Sequence, residues 1–186
     1  IEPWGVSGNR LYRGLGDGRF RDVTDQAGVR DGFWGWAASF ADFDNDGWLD
    51  LVHTNGFGRS ADYVPSQQFF DDPTRLFLAN GDGTFSQRAG EWGIDDRGMG
   101  RGLAVFDYDR DGALDIAISA NGGPLRLFRN RGIGERHWLQ VGLRDRGNNR
   151  EAIGARVTVS AGRHTWMREL RAGNNYLSQD PAEAHF

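Results

Sequence analysis

The 186-residue chain contains no cysteine, no lysine and only five prolines. Without cysteine, neither disulfides nor thiol chemistry can contribute to its fold or function. No apolar run approaches the ~18–20 residues that a membrane-spanning helix needs, so no membrane span is predicted. All 22 basic residues are arginines, which are scattered and outnumbered by 26 acidic residues. The chain therefore offers no basic patch for nucleic acid.

Glycine, in contrast, is abundant. The chain has 28 glycines, and 12% of its residues are aromatic. This composition is typical of many short strands joined by tight turns, and it disfavours both a helical and a disordered chain. We therefore predict an all-β fold.

The most distinctive stretch is the acidic loop Asp-Phe-Asp-Asn-Asp-Gly-Trp-Leu-Asp at 42–50, which has a counterpart at 107–115. Both copies carry aspartate at positions 1, 3, 5 and 9 and glycine at position 6. Four like charges repel one another unless a cation holds them, and the glycine permits a sharp turn. A single copy could be an acidic, solvated turn, but the recurrence favours a metal loop. Because the donors are all hard oxygens, calcium is favoured over zinc or copper.

The predicted ligands are the four carboxylates of each loop and the main-chain carbonyl at its position 7. They are Asp42, Asp44, Asp46, Trp48 and Asp50 in loop 1, and Asp107, Asp109, Asp111, Ala113 and Asp115 in loop 2. Two Ca²⁺ per chain are therefore predicted. They would cancel the formal net charge of −4 and leave a near-neutral particle that is inclined to associate.

These loops are not EF-hands. An EF-hand needs a bidentate glutamate at position 12 and helices on both sides. Position 12 is His53 in loop 1 and Ile118 in loop 2, and the flanking residues are rich in strand formers. Each metal loop is therefore expected to join two strands.

The two loops belong to a longer repeat with a spacing of 65 residues. Leu11 aligns with Leu76 without gaps, and the Gly-Asp-Gly turn at 16–18 aligns with the one at 81–83. Each unit reads as strand, Gly-Asp-Gly hairpin, strand, connection, strand, metal loop and strand, which is the content of a propeller blade. A third unit begins at Leu125 and stops. We expect a partial β-propeller with two blade-like repeats and the start of a third.

Two stretches lie outside the repeats. An irregular insertion at 57–74 contains Phe69 and Phe70, which we expect to pack on a blade. From about His137 onwards, apolar and polar residues alternate with period two, which indicates half-buried strands. We therefore predict two domains, the repeats at 1–132 and a C-terminal module, a small β domain without a metal motif, at 133–186.

Two known families resemble these regions. The Leu-Phe-x-Ala-Asn-Gly-Asp-Gly-Thr-Phe run at 76–85, with the Asp-x-Asp-x-Asp-Gly-x-x-Asp loops, resembles FG-GAP/VCBS-type propeller repeats such as those of integrin α-chain heads. The C-terminal module resembles the ASPIC/UnbV domain through 137–139, 149–157 and 176–179. Their order is that of cartilage-acidic-protein-like secreted proteins. One departure is Arg110 at position 4 of loop 2, where the family usually has asparagine and where the side chain points away from the metal.

The resemblance implies an extracellular or cell-surface protein, but such repeats serve adhesion, scaffolding and sugar binding alike. Our first hypothesis is a secreted structural and interaction protein whose blades are rigidified by calcium and whose partners are other protein chains. Since a partial propeller leaves strand edges unpaired, we expect either a homo-oligomer or filament, or a chain that is a fragment of a longer propeller protein. The alternative is a calcium-dependent carbohydrate-binding module, in which the aromatic cluster at 33–36 contacts glycans. Packing between blades competes for the same tryptophans.

An enzyme is the third class of function. His53, His137, His164 and His185 fall in no recognisable catalytic motif, and no nucleophile elbow or phosphate loop is present. The eight loop aspartates are better used as metal ligands than as acid–base pairs. We therefore predict that the chain is not an enzyme.

Overall fold

The computed structural model describes residues 8–58, 71–132 and 134–186, and nearly all of its regular structure is β-strand. The all-β prediction is confirmed, although the one-turn helix and the last strand were not predicted. The elements of the described residues, in chain order, are β1 (Tyr12–Gly14), β2 (Phe20–Asp22), α1 (Thr24–Ala27), β3 (Ala38–Ala41), β4 (Asp50–His53), β5 (Arg75–Ala79), β6 (Phe85–Gln87), β7 (Gly100–Phe106), β8 (Asp115–Ala120), β9 (Leu125–Phe128), β10 (Gln140–Gly142), β11 (Arg156–Ala161), β12 (His164–Glu169) and β13 (Glu183–His185).

The strands form antiparallel sheets that resemble propeller blades. The two larger ones have the strand orders β3-β4-β5-β6 and β7-β8-β9, and β1-β2, β10-β13 and β11-β12 are two-stranded. No closed barrel is formed within the described ranges. The partial-propeller prediction is confirmed at this level. Phe69 and Phe70 lie outside the described residues.

The sheets are offset by two strands from the sequence repeat. Each sequence unit ends after the strand that follows its metal loop, but the sheet continues into the hairpin of the next unit. Strand β4 pairs with β5, with Leu51 opposite Phe77, and β8 pairs with β9, with Ile116 opposite Phe128. Each metal loop therefore joins the first two strands of a blade-like sheet, at the same end of both sheets.

The main core lies between the two larger sheets and reaches into both metal loops. Val52, Leu76 and Leu103 are fully buried in it. Phe43 at position 2 of loop 1 is 1% exposed, and Leu114 at position 8 of loop 2 is 6% exposed. Burying a side chain such as that of Phe43 contributes roughly 1.5–3 kcal/mol. The loops are thus anchored in the core and are not free surface turns.

The C-terminal module covers the free edge of β7. The main-chain N–H of Leu103 donates to Ser178 Oγ (2.8 Å), and that of Val105 donates to Asp180 Oδ1 (2.7 Å). Asn175 donates back to the carbonyl of Leu103 (2.9 Å). Side chains of the module therefore satisfy backbone groups that a neighbouring strand would otherwise pair.

No helix in the described part of the chain has the length and apolarity that a membrane crossing requires.

His53 in β4 is a buried histidine that is neutral in the fold. The residue is 3% exposed, and its Nε2 accepts a hydrogen bond from Asn9 Nδ2 (2.9 Å). Burial, reinforced by the nearby Arg75 guanidinium, lowers the pKa of His53 to about 4 from an ordinary value of 6.5. The charged form is thus disfavoured in the folded state.

We therefore expect His53 to destabilise the fold as the pH falls from 6.5 towards 4. In that window the unfolded chain binds a proton that the folded chain cannot, which lowers the free energy of unfolding by up to about 3 kcal/mol. Urea unfolding of the wild type and of His53→Gln at several pH values measures this difference. Equal pH dependence in both proteins would contradict a depressed pKa at His53, since the remaining titrating groups are common to the two.

Candidate metal centres

The structure brings three carboxylates of each loop together. One oxygen each of Asp42, Asp44 and Asp50 lie within 4.8 Å of one another, and Asp107, Asp109 and Asp115 form the equivalent cluster. These are positions 1, 3 and 9 of the two loops. The donors are all oxygens, as hard cations such as Ca²⁺ require. The clusters are called Asp cluster 1 and Asp cluster 2 below.

The remaining predicted side-chain ligands, Asp46 and Asp111 at position 5, lie outside these two clusters. Asp46 Oδ1 accepts a hydrogen bond from the N–H of Trp48 (2.8 Å), and Asp111 Oδ1 accepts one from Ala113 (3.0 Å). Both residues therefore shape the turn that presents the position-7 carbonyls. The roles of those carbonyls, and of position 5, as ligands stay predictions.

The position-1 aspartates close each loop on itself. Asp42 accepts hydrogen bonds from the N–H groups of Asp46 (3.0 Å) and Gly47 (2.9 Å). Asp107 does the same with Asp111 (3.1 Å) and Gly112 (2.9 Å). The turn requires left-handed backbone at position 6, where the glycines have φ of 93° and 90°. Glycine reaches this conformation without steric cost.

The position-9 aspartates fasten each loop to the neighbouring strand. Asp50 accepts hydrogen bonds from Phe43 N (2.8 Å) within the loop and from Ala79 N (2.8 Å) at the end of β5. Asp115 accepts from Tyr108 N (3.0 Å) and Asn130 N (2.8 Å). The same carboxylate that is available to a metal therefore also fixes the first three strands of its sheet relative to one another.

Burial makes the charge of these carboxylates costly. Asp42 and Asp50 are 2% and 1% exposed. Burial raises the pKa of Asp42 to about 6 and that of Asp50 to about 7, with a smaller contribution from the neighbouring aspartates, although hydrogen bonds from backbone N–H groups act in the opposite direction. Burial also raises the pKa of Asp115. At neutral pH a divalent cation would offset this cost.

Two arginines approach the clusters from the solvent side. Arg136 contacts Asp44 (Nη1 to Oδ1, 2.9 Å), and Arg129 contacts Asp109 (2.6 Å) and Asp111 (3.2 Å). Within the described ranges, no ion pair reaches the buried aspartates of positions 1 and 9. The arginines therefore neutralise the outer rim of each cluster and leave the inner charge without a direct counterion.

The two metal loops are joined to each other. Asn45 at position 4 of loop 1 donates to the carbonyl of Gly112 in loop 2 (3.0 Å). Asn130 donates to the carbonyls of Phe43 in loop 1 (2.7 Å) and Leu114 in loop 2 (3.2 Å). Sequence reasoning placed Asn130 at the end of the run that opens the third unit but gave it no role. It reaches the loops because β9 completes the second sheet.

Arg110, at position 4 of loop 2, contacts the C-terminal module. It pairs with Glu183 of the C-terminal module (Nη1 to Oε2, 2.9 Å) and donates to Gln140. Position 4 of both loops therefore carries a contact to a neighbouring unit.

The aromatic cluster at 33–36 is largely engaged within the chain. Trp36 donates its indole N–H to Gly56 O (2.9 Å). The guanidinium carbon of Arg101 lies 3.8 Å from the centre of the Trp36 ring, and the ring centres of Trp36 and Tyr176 are 5.1 Å apart. Trp34 packs edge-on against Phe57 (4.9 Å). Glycan binding by this cluster stays a prediction.

Comparisons with known proteins agree with both resemblances. Residues 4–53 and 64–118 match the model of the FG-GAP-like repeat, and 145–186 match that of ASPIC and UnbV. The chain is 47% identical to cartilage acidic protein 1 of Xenopus tropicalis and 28% identical to that of Homo sapiens, each over 232 aligned residues. Each alignment covers 96% of this chain and 35% of the relative. The chain thus spans about a third of the length of the curated relatives it matches.

We expect Asn130→Ala to destabilise the fold because it leaves two carbonyls in the paired loops without their donor. Losing such hydrogen bonds typically costs about 1–3 kcal/mol. Asn80→Ala is the matched control, since Asn80 lies at the end of β5 in an exposed hairpin and its side chain pairs only with Thr84 and Ser86 in the described residues. It should cost less than about 0.5 kcal/mol. Chemical denaturation compares the two variants, and equal losses would show that Asn130 does not join the loops.

Proposed function

This chain belongs to the FG-GAP-like repeat family, and from that premise we propose that it is a calcium-stabilised structural and interaction part of an extracellular protein. The observation that carries the proposal is the repeated convergence of three oxygen donors in Asp clusters 1 and 2. In a simple acidic surface turn the carboxylates would stay in water, but two of the three carboxylates in each cluster are buried. A bound hard divalent cation would account for this burial, because it stabilises the charged carboxylates.

We assign the ligands as the sequence predicts, with one Ca²⁺ per loop. The carboxylates of Asp clusters 1 and 2 supply three ligands each, Asp46 and Asp111 a fourth, and the carbonyls of Trp48 and Ala113 a fifth. The bound ion supplies positive charge and no redox chemistry. Because the position-9 aspartates also hold the strand ends, calcium at these sites would stiffen both sheets.

The broader setting rests on the relatives. Their name places them in cartilage, a tissue rich in extracellular matrix, and the family order resembles that of secreted proteins. We therefore propose an extracellular location, protein partners and no enzymatic activity. We also propose that the repeats at 1–132 and the C-terminal module at 133–186 are separate domains.

Glycans are a second proposed partner class, through a cavity of about 280 Å³ lined by Phe33, Trp34 and Trp36. A glycan array with and without calcium tests this alternative.

We expect calorimetric titration to give two Ca²⁺ per chain, at the affinity of roughly 10⁻⁴–10⁻³ M that is typical of extracellular modules. Asp44→Ala and Asp109→Ala should each abolish or strongly weaken one site, because each removes a charged ligand. Asn45→Ala is the comparison at the adjacent position of loop 1. It removes the hydrogen bond to Gly112 but no proposed ligand, so it should weaken calcium binding less than Asp44→Ala does. Equal losses of affinity in Asp44→Ala and Asn45→Ala would contradict the assigned loop geometry.

Self-association of the chain is a separate part of the proposal. The edge of β7 is covered by the C-terminal module, but β9 pairs only with β8 within the described residues. Its Leu125 and Leu127 are 73% and 48% exposed on one face. An exposed apolar edge strand is a site for strand addition by another chain. We therefore propose that homo-oligomers or filaments form through β9.

Light scattering in millimolar calcium measures this association. We expect particles larger than one chain, and we expect Leu127→Lys to reduce their size because a charge on an edge strand opposes pairing. Leu177→Lys is the matched control, since Leu177 is 68% exposed but lies in the C-terminal module. A wild-type chain that stays monomeric at micromolar concentration would refute self-association.

A further inference from the structure

The C-terminal module places one tryptophan on the glycine of each metal loop. A Cβ at Gly47 would lie 2.6 Å from the indole Nε1 of Trp166, and a Cβ at Gly112 would overlap the indole of Trp138. The indoles therefore pack directly on backbone that only glycine leaves uncovered. Trp166 belongs to β12, and Trp138 precedes β10.

Polar contacts connect the same module to the same loops. His185 of β13 donates from Nε2 to the carbonyl of Gly112 (3.1 Å), and its ring stacks on Trp138. Arg110 of loop 2 pairs with Glu183, and Arg136 contacts the carboxylate of Asp44 in loop 1. Both loops are thus held by apolar and by charged contacts, and the contacts come from several parts of the module.

These contacts fall where they control the proposed ligands. Gly47 lies between Asp46 and Trp48, and Gly112 lies between Asp111 and Ala113, which are the predicted ligands of positions 5 and 7. Fixing the glycine therefore fixes the backbone that carries both. In the other direction, a cation that relieves the repulsion among the three clustered carboxylates would hold the loop, and with it the glycine, in the geometry on which the indole packs.

We propose that the C-terminal module completes the two calcium loops, so that docking of the module and binding of calcium strengthen each other. Trp138 and Trp166 are positioning residues in this arrangement, because they pack on the loop backbone at Gly112 and Gly47. The inference rests on the proposed calcium function. Reciprocity follows from thermodynamic linkage, in which a coupling of this kind is typically 5- to 150-fold in affinity.

Calorimetric calcium titration of Trp138→Ala and Trp166→Ala in the full chain tests whether docking of the module strengthens calcium binding. Each variant should bind calcium roughly tenfold more weakly at the loop that its tryptophan contacts. The adjacent residues provide controls, since Leu139 and Met167 are apolar side chains of the same segments and are 46% and 49% exposed. Leu139→Ala and Met167→Ala should leave the affinity within about twofold of the wild type, well below the coupling range.

Hydrogen exchange of the wild type tests whether calcium binding strengthens docking of the module. Calcium should slow exchange of the β10, β11 and β12 amides, which lie outside the metal loops. Where circular dichroism shows that Trp138→Ala has not folded, Glu183→Gln replaces it. This change removes the ion pair with Arg110 and should weaken calcium binding at loop 2 by about three- to fivefold.

The outcomes separate the two proposals. Calcium affinities of the folded module variants that equal those of the wild type, or exchange in the module that calcium does not change, would overturn the coupling while leaving calcium binding intact. A wild-type chain that binds no calcium would overturn the proposed function itself, and the coupling with it.

Discussion

Repulsion within Asp clusters 1 and 2 is the constraint on which the rest of the molecule depends. Each cluster holds three carboxylates within 4.8 Å, with Asp42 and Asp50 almost fully buried. The fold opposes this cost with backbone N–H donors and with Arg129 and Arg136 at the rim, but the pKa of Asp50 stays raised to about 7. A cation bound in the loop would offset the cost of burying this charge.

The position of the loops explains how a local charge problem affects the whole chain. Phe43 and Leu114 anchor the loops in the main core, and the position-9 aspartates tie them to the ends of neighbouring strands. Asn130 bridges loop 1 and loop 2, and Arg110 reaches the C-terminal module. The apolar core, the sheets and the module therefore meet at the loops. A change in loop geometry is transmitted by direct contact and needs no longer pathway.

Local pattern predicted much of this arrangement. The Asp-x-Asp-x-Asp-Gly spacing and its recurrence predicted two oxygen-rich loops between strands, because the periodicity of side chains and the turn requirement of glycine are local properties. The offset between repeat and sheet was not predictable in this way, since it depends on β4 pairing with β5 across a repeat boundary. Asn130, Trp138 and Trp166 were missed for the same reason. Their contacts with the loops join residues up to about 120 positions apart, and no spacing rule connects them.

Thermal unfolding of the chain in calcium and in chelator tests the central claim most directly. At about 2 mM calcium and a Kd near 10⁻⁴ M, each site contributes about 1.8 kcal/mol to the free energy of unfolding. For a chain of this length, two such sites raise the Tm by roughly 10 °C. A Tm that rises by this amount in calcium, and not in magnesium, is the result that the account predicts. A Tm that is the same in calcium and in chelator would contradict it.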